Sequence, residues 1–377
     1  MGGPGLASET WGRGKQKSQV SEARPGPPII FDRCLGWGVS SQKAACAGVV
    51  WVRAQEIRVA RSLLARLSIA LLLFVSVVAV GQSKATSPLE AVQPKFWTLF
   101  DHDAKLTKVA SGFGFTEGPV WDPAGYLWVS DETLNKIFKV NTAPGQKQEI
   151  ISLGDPDGNT YDRQHRLLDC ASVLRAVIRL SPDGKQYQIL TDRYQGKRLN
   201  SPNDVVLGPD GAIYFTDPTS DLPKDQKQEI PFQGVYRLAA DGRLDLLTKE
   251  LDSPNGLAFS PDGKKFYVDD SAQRNIRVYD FQNGHLSNGR IFGVEPGGEK
   301  DGVPDGMRID RQGNLYVTGP KGIWVWDPAG HHLGTILVPE QPANLAWGDA
   351  GYGTLYLTAT TSVYKISTRA HGFIPYL

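Results

Sequence analysis

A short unit recurs along most of the chain, and no other feature narrows the possible folds as far. A turn followed by an apolar-aromatic strand appears as DPAGYLWVSD from Asp122, DRQHRLLDC from Asp162 and GPDGAIYFTD from Gly208. It appears again as SPDGKKFYVDD from Ser260, DRQGNLYVTG from Asp310 and GYGTLYLTA from Gly351. The fourth residues of the first five are Gly125, His165, Gly211, Gly263 and Gly313, at successive spacings of 40, 46, 52 and 50. Spacings of this size are those of a propeller blade. Each unit continues into a second apolar strand: KIFKV (136–140), AVIRL (176–180), GVYRL (234–238), IRVYD (276–280), GIWVWD (322–327) and SVYKI (362–366). Most add a more polar strand, such as RLDLLTKE (243–250).

Four strands in each of six units predict an all-β fold, a six-bladed β-propeller with four-stranded blades. The last unit runs out after three strands. Its fourth is expected from the segment near Lys105–Val109, which would close the ring and hide a sheet edge. A β-sandwich pair or a parallel β-helix explains a four-strand repeat of this length less well. Composition agrees, since 41 Gly, 25 Pro, 13 Tyr and 9 Trp suit short strands joined by tight turns.

In a propeller the first strand of every blade lines the central channel, so equivalent positions point at one axis. Eight residues before each of the five turn positions stand Glu117, Asp157, Asn203, Asn255 and Asp305, and all are acids or amides. Asn344 stands nine before Gly353, which reads as a one-residue insertion. Asp or Asn before Gly is ordinarily a turn residue bonded to nearby backbone. Agreement in register across the units favours instead a ring of oxygen-bearing side chains at one mouth of the channel. Carboxylates gathered so closely demand a cation or raised pKa values. Oxygen donors without His or Cys predict a central site for a divalent metal cation, Ca²⁺ first, then Mg²⁺ or Mn²⁺, with Zn²⁺ less suited. Glu117 and Asp305 with the neutral Asn203 and Asn255 would balance its charge.

At these residues the sequence resembles the SMP-30/gluconolactonase/LRE-like family. The blocks are FTEGPVWDPAGYLWVSD (115–131), RLNSPNDVVLGPDGAIYFTDP (198–218), SPNGLAFSPDGKKFYVDDS (253–271) and GVPDGMRIDRQGNLYVTGPKGIWVWDP (302–328). The resemblance runs from about Phe96 onward. It implies a six-bladed propeller that binds a divalent cation, often calcium, and hydrolyses sugar lactones. The family's metal ligands would fall on Glu117, Asn203, Asn255 and Asp305, with Asp305 also the catalytic base; it does not make Asp157, taken as channel-lining, a ligand. Many bacterial members carry Cys-Glu-His in the second blade, where this chain has Cys170-Ala171-Ser172. That departure bears on the substrate rather than on the metal.

The expected chemistry is opening of a lactone ring by water, with the carbonyl polarised on the cation and the proton taken by Asp305. No GxSxG elbow is present to suggest a serine nucleophile. Arg198, Asn200, Trp121 and Tyr161 are candidates to shape the substrate pocket, set against interblade packing as the plainer role. The alternatives are an organophosphate or other ester hydrolase on the same site, and a non-catalytic propeller that binds a protein or carbohydrate. A strictosidine-synthase-like propeller is a further relative that would lack the ring of ligands.

With 41 basic and 40 acidic residues, nothing in the charge favours nucleic acid, and a small-molecule lactone is the expected partner. Cys34, Cys46 and Cys170 form no CxxC pair, so neither disulfides nor thiol chemistry is expected. From Arg58, a basic patch precedes the uncharged run Leu67–Val80 and then small residues, the layout of a signal peptide. The run is shorter than the ~20 residues of a usual spanning helix, so membrane contact is expected only through an uncleaved N-terminal segment. The chain therefore divides into an unstructured leader or mis-assigned start (1–57), a signal peptide or anchor (58–88) and the propeller (89–377). Export to the periplasm or the medium follows.

Overall fold

The computed structural model describes residues 87–142 and 146–377, so the leader and nearly all of the signal segment lie outside the described residues. Six antiparallel sheets form the blades. Blade I comprises Thr116–Asp122, Tyr126–Asp131, Lys136–Asn141 and Lys147–Ser152. Blade II comprises Pro156–Tyr161, Leu167–Ala171, Ala176–Leu180 and Tyr187–Thr191, and blade III Val205–Leu207, Ile213–Asp217, Gly234–Leu238 and Leu244–Thr248. Blade IV holds Pro254–Phe259, Lys265–Asp270, Asn275–Gln282 and His285–Val294. Blade V holds Met307–Ile309, Leu315–Gly319, Gly322–Trp326 and His332–Leu337. Blade VI has Pro342–Gly348, Thr354–Ala359 and Ser362–Ser367.

Thr107–Ser111 completes blade VI, pairing Thr107 with Lys365 and Ser111 with Ser362. The closing strand therefore starts two residues later than the expected segment. Leu89–Ala91 adds an unforeseen fifth strand to blade V, with Leu89 opposite Ile336. Both additions cover outer edges that would otherwise offer unpaired backbone.

Burial falls from the axis outward. The first strand of blade I is buried at every residue, whereas its fourth strand is half-buried to exposed. Aromatic residues fill the seams between blades: Trp121 stacks on Tyr356 at 5.6 Å between blades I and VI, and Tyr316 meets Trp347 edge-on at 5.0 Å between V and VI. Offset and edge-on pairs of this kind add to the area that they bury.

The turn after each first strand sets the register of the ring. Gly125, His165, Gly211, Gly263 and Gly313 all have positive φ, from 59° to 97°, and each N–H bonds the carbonyl three residues back. In blade VI that position belongs to Tyr352, with φ 61° and its N–H on Asp349 O at 3.1 Å, not to Gly353. Asn344 therefore stands eight residues before its turn like the others, and the insertion read from the sequence does not exist. Gly353 misled because glycine is only the usual occupant of this conformation, not an obligatory one.

Candidate metal centre

Each ring residue sits at the start of its blade's first strand, on the face opposite the turns. Strand pairing is irregular there in blades I, II, IV and VI, between Glu117 and Val120, Pro156 and Asn159, Pro254 and Leu257, and Pro342 and Asn344. Such bulges re-aim a side chain out of the pleat. Neighbouring first strands touch at the residue that follows. Gly158 N–H bonds Asn203 O, Gly256 N–H bonds Asp305 O and Gly306 N–H bonds Ala343 O, each at 2.8 Å. A Cβ on Gly256 would stand 2.0 Å from Asp305 O, and one on Gly306 2.2 Å from Asn344 Cγ. The glycine after the ring residue is thus required by close approach, which draws the oxygen-bearing side chains together.

Glu117 is buried, and its Oε2 accepts from Gly118 N–H at 2.9 Å and from Asn344 Nδ2 at 3.0 Å. Asp157, also buried, accepts from Asn203 Nδ2 at 2.7 Å and from Ser172 Oγ at 3.4 Å. Asn203 Nδ2 also lies 3.5 Å from Asp221 Oδ2. Half-buried Asn255 hydrogen-bonds Asp305, while its buried Oδ1 has no partner. Ligand oxygens of Glu117, Glu132 and Asp157 lie within 4.8 Å of one another. Glu132, on the loop after the second strand of blade I, was missed by counting along the repeat, as was Asp221 on the equivalent loop of blade III.

The electrostatics match this crowding. Burial, opposed by the Gly118 and Asn344 hydrogen bonds, pushes Glu117 up to about 8. Burial and then neighbouring carboxylates hold Glu132, Asp157 and Asp305 well above the usual carboxylate range. Asp155 at the rim is pushed up to about 7, by burial and then by Asp221. So many acids stay ionised together only beside a cation. The orphaned Asn255 oxygen and the all-oxygen donor set fit a hard divalent ion.

The pocket candidates divide. Arg198 is half-buried near the rim, its guanidinium bonded to Leu174 O at 2.6 Å, so that it braces the connector before Asn203 against blade II. Asn200 is fully buried and gives its Nδ2 to Asp217 O and Phe232 O. Trp121 fills the seam between blades I and VI, and Tyr161 stacks on His165 at the turn face. Asn200, Trp121 and Tyr161 are therefore taken up by the fold and are not brought to the ring. Cys170 is buried and free.

Comparison with known proteins agrees with this architecture. The profile of the SMP-30/gluconolactonase/LRE-like region matches residues 115–361. A gluconolactonase from Zymomonas mobilis is 35% identical over 305 residues, covering 74% of this chain and 85% of that protein. A diisopropyl-fluorophosphatase from Loligo vulgaris is 26% identical, over 64% of this chain and 84% of its own. Among solved structures, a gluconolactonase from Xanthomonas campestris superimposes with a TM-score of 0.70 at 32% identity, covering 75% of this chain and 96% of that one.

Proposed function

The chain belongs to the SMP-30/gluconolactonase/LRE-like family, and from that premise we propose that it is a lactonase that opens a sugar lactone such as gluconolactone. The observation behind this reading is the ring of acids and amides at one mouth of the channel, in one register, with an orphaned oxygen on Asn255. Glu117, Asn203, Asn255 and Asp305 would hold a divalent cation, calcium first. When bound, that ion supplies the Lewis acidity that polarises the lactone carbonyl.

The chain's own residues do the rest. Asp305, half-buried at the mouth, takes a proton from the attacking water, and that proton is returned to the ring oxygen as the C–O bond breaks. One water is consumed and one hydroxy acid is released. Glu117 is held in place by Gly118 N–H and Asn344 and stays a ligand. Arg198 stiffens the connector that presents Asn203, which makes it a support of the pocket more than a contact. The run Leu67–Val80 supports an exported enzyme, in the periplasm or the medium.

The resemblance to the diisopropyl-fluorophosphatase from Loligo vulgaris favours one second reading, an organophosphate-ester hydrolase on the same ring, since a cation polarises phosphoryl and acyl oxygens alike. Turnover of glucono-1,5-lactone and of diisopropyl fluorophosphate by the same preparation separates the two. Lactone opening at a far higher kcat/KM supports the first reading, and the reverse order overturns it. Turnover of neither, with the ion bound, would favour a non-catalytic propeller.

A further inference from the structure

Below the ring the chain's own C-terminal residues pack against the blades. Arg311 N–H bonds His371 O at 2.8 Å, Gly372 N–H bonds Tyr352 O at 2.9 Å and Phe373 N–H bonds Ile309 O at 3.0 Å. Tyr376 meets Tyr161 edge-on at 5.4 Å. Phe373, Ile374, Pro375 and Tyr376 thereby floor a small chamber whose walls are the first strands. One charged side chain lines that chamber: Arg308, on the first strand of blade V three residues beyond Asp305.

The guanidinium lies 3.7 Å from Asp204 and donates to Met307 O at 2.7 Å. Asp204 is fully buried, with one oxygen on Val205 N–H at 2.8 Å and the other lacking a hydrogen-bond partner. Asn344 lies beside Asp204 and passes its amide to Glu117 Oε2 at 3.0 Å. A line of contacts thus runs from Arg308 through Asp204 and Asn344 to the ring. The Arg308 side chain is 19% exposed and that of Asp204 1%, so water screens this charge less than it would on the surface and its field acts on the ring.

We infer that Arg308 is a built-in counter-cation: it neutralises Asp204 from inside the chamber, so that the ring binds a single divalent ion and binds it less tightly than its bare carboxylates would. Arg308 touches neither substrate nor ion and is a positioning residue. This rests on the metal-binding reading above. The sign follows from charge: a fixed positive group near a cation site opposes binding, whereas a residue that only oriented a ligand would weaken binding when removed.

The test is calcium binding to the chelated, full-length protein by calorimetry, with thermal unfolding of the ion-free protein alongside. Arg308→Gln should tighten binding by about tenfold or more, because one opposing charge is gone, and should lower the Tm of the ion-free protein, because Asp204 is left unpaired. Arg308→Lys, which keeps the charge, should bind as the parent does, and Asp204→Asn should weaken binding. R308Q/D204N, which removes both charges and folds without a stranded carboxylate, should return to within about threefold of the parent. Weaker binding by R308Q, or an equal shift in R308Q and R308K, would show a packing role and overturn the inference. So would a double variant that stays as far from the parent as R308Q. Absence of any calcium binding by the parent would instead overturn the metal-binding reading itself.

Discussion

Replacing Gly256 by alanine tests how the ring is held together. The new Cβ would stand 2.0 Å from Asp305 O, the atom that accepts the Gly256 N–H at 2.8 Å. Neither side can yield independently, because the obstacle is backbone and the bond ties both strands. The first strands of blades IV and V must separate, at an overpacking cost of about 1–3 kcal/mol. The loss of this interblade hydrogen bond adds about 1 kcal/mol. At roughly 2–4 °C per kcal/mol for a large domain, Tm should fall by about 4–16 °C. Asp305 moves with its backbone, so calcium affinity should drop as well.

A control separates crowding from backbone conformation. Gly242 has φ +84° and nothing within 4 Å of its added Cβ, so Gly242→Ala should cost only the ~1–2 kcal/mol of a left-handed alanine and leave calcium affinity alone. The assay is thermal unfolding of both variants with chelator and with calcium, together with calcium titration. Gly256→Ala that melted within 1 °C of the parent with unchanged affinity would refute the claim that close approach at this glycine builds the site.

Four further outcomes are expected. Asp305→Asn should cut lactone turnover by about 10²-fold or more while the protein still binds an ion, measured by acid release and calorimetry; unchanged turnover would remove Asp305 as the base. Trp121→Ala should cost about 3–5 kcal/mol in stability by urea unfolding, since the ring fills an interblade seam, yet leave KM nearly unchanged. The ion-free protein should melt at a lower temperature as pH rises from about 4.5 to 8. Glu117 is raised to about 8 in the fold, so the folded state holds its proton more firmly, and that stability is present at low pH and lost on the way up. Calcium should therefore raise Tm more at pH 8 than at pH 5, and an equal gain at both would contradict the crowding argument.

The blades were legible because their signals are local: a left-handed turn residue, an aromatic strand after it and a polar outer strand each need only a few adjacent residues. The ring was legible for the same reason, being a fixed count from the turn. What the repeat could not show is whatever lies off it. Glu132 and Asp221 sit on loops of unequal length, so no spacing led to them. Leu89–Ala91 and the C-terminal residues find their partners only through the assembled ring. Trp121 and Asn200 have chemistry suited to a pocket, yet their neighbours in space are a tyrosine face and backbone carbonyls. Cys170, which lies within the described residues, is buried and free.

The most direct test of the ring as a catalytic metal centre is a calcium titration of the chelated protein in glucono-1,5-lactone, following bound ion and acid release together. The account predicts no turnover above the spontaneous rate before addition, then turnover that rises in proportion to occupancy and saturates at one ion per chain. Turnover that survives complete chelation, or that stays at the spontaneous rate when the site is full, would contradict it.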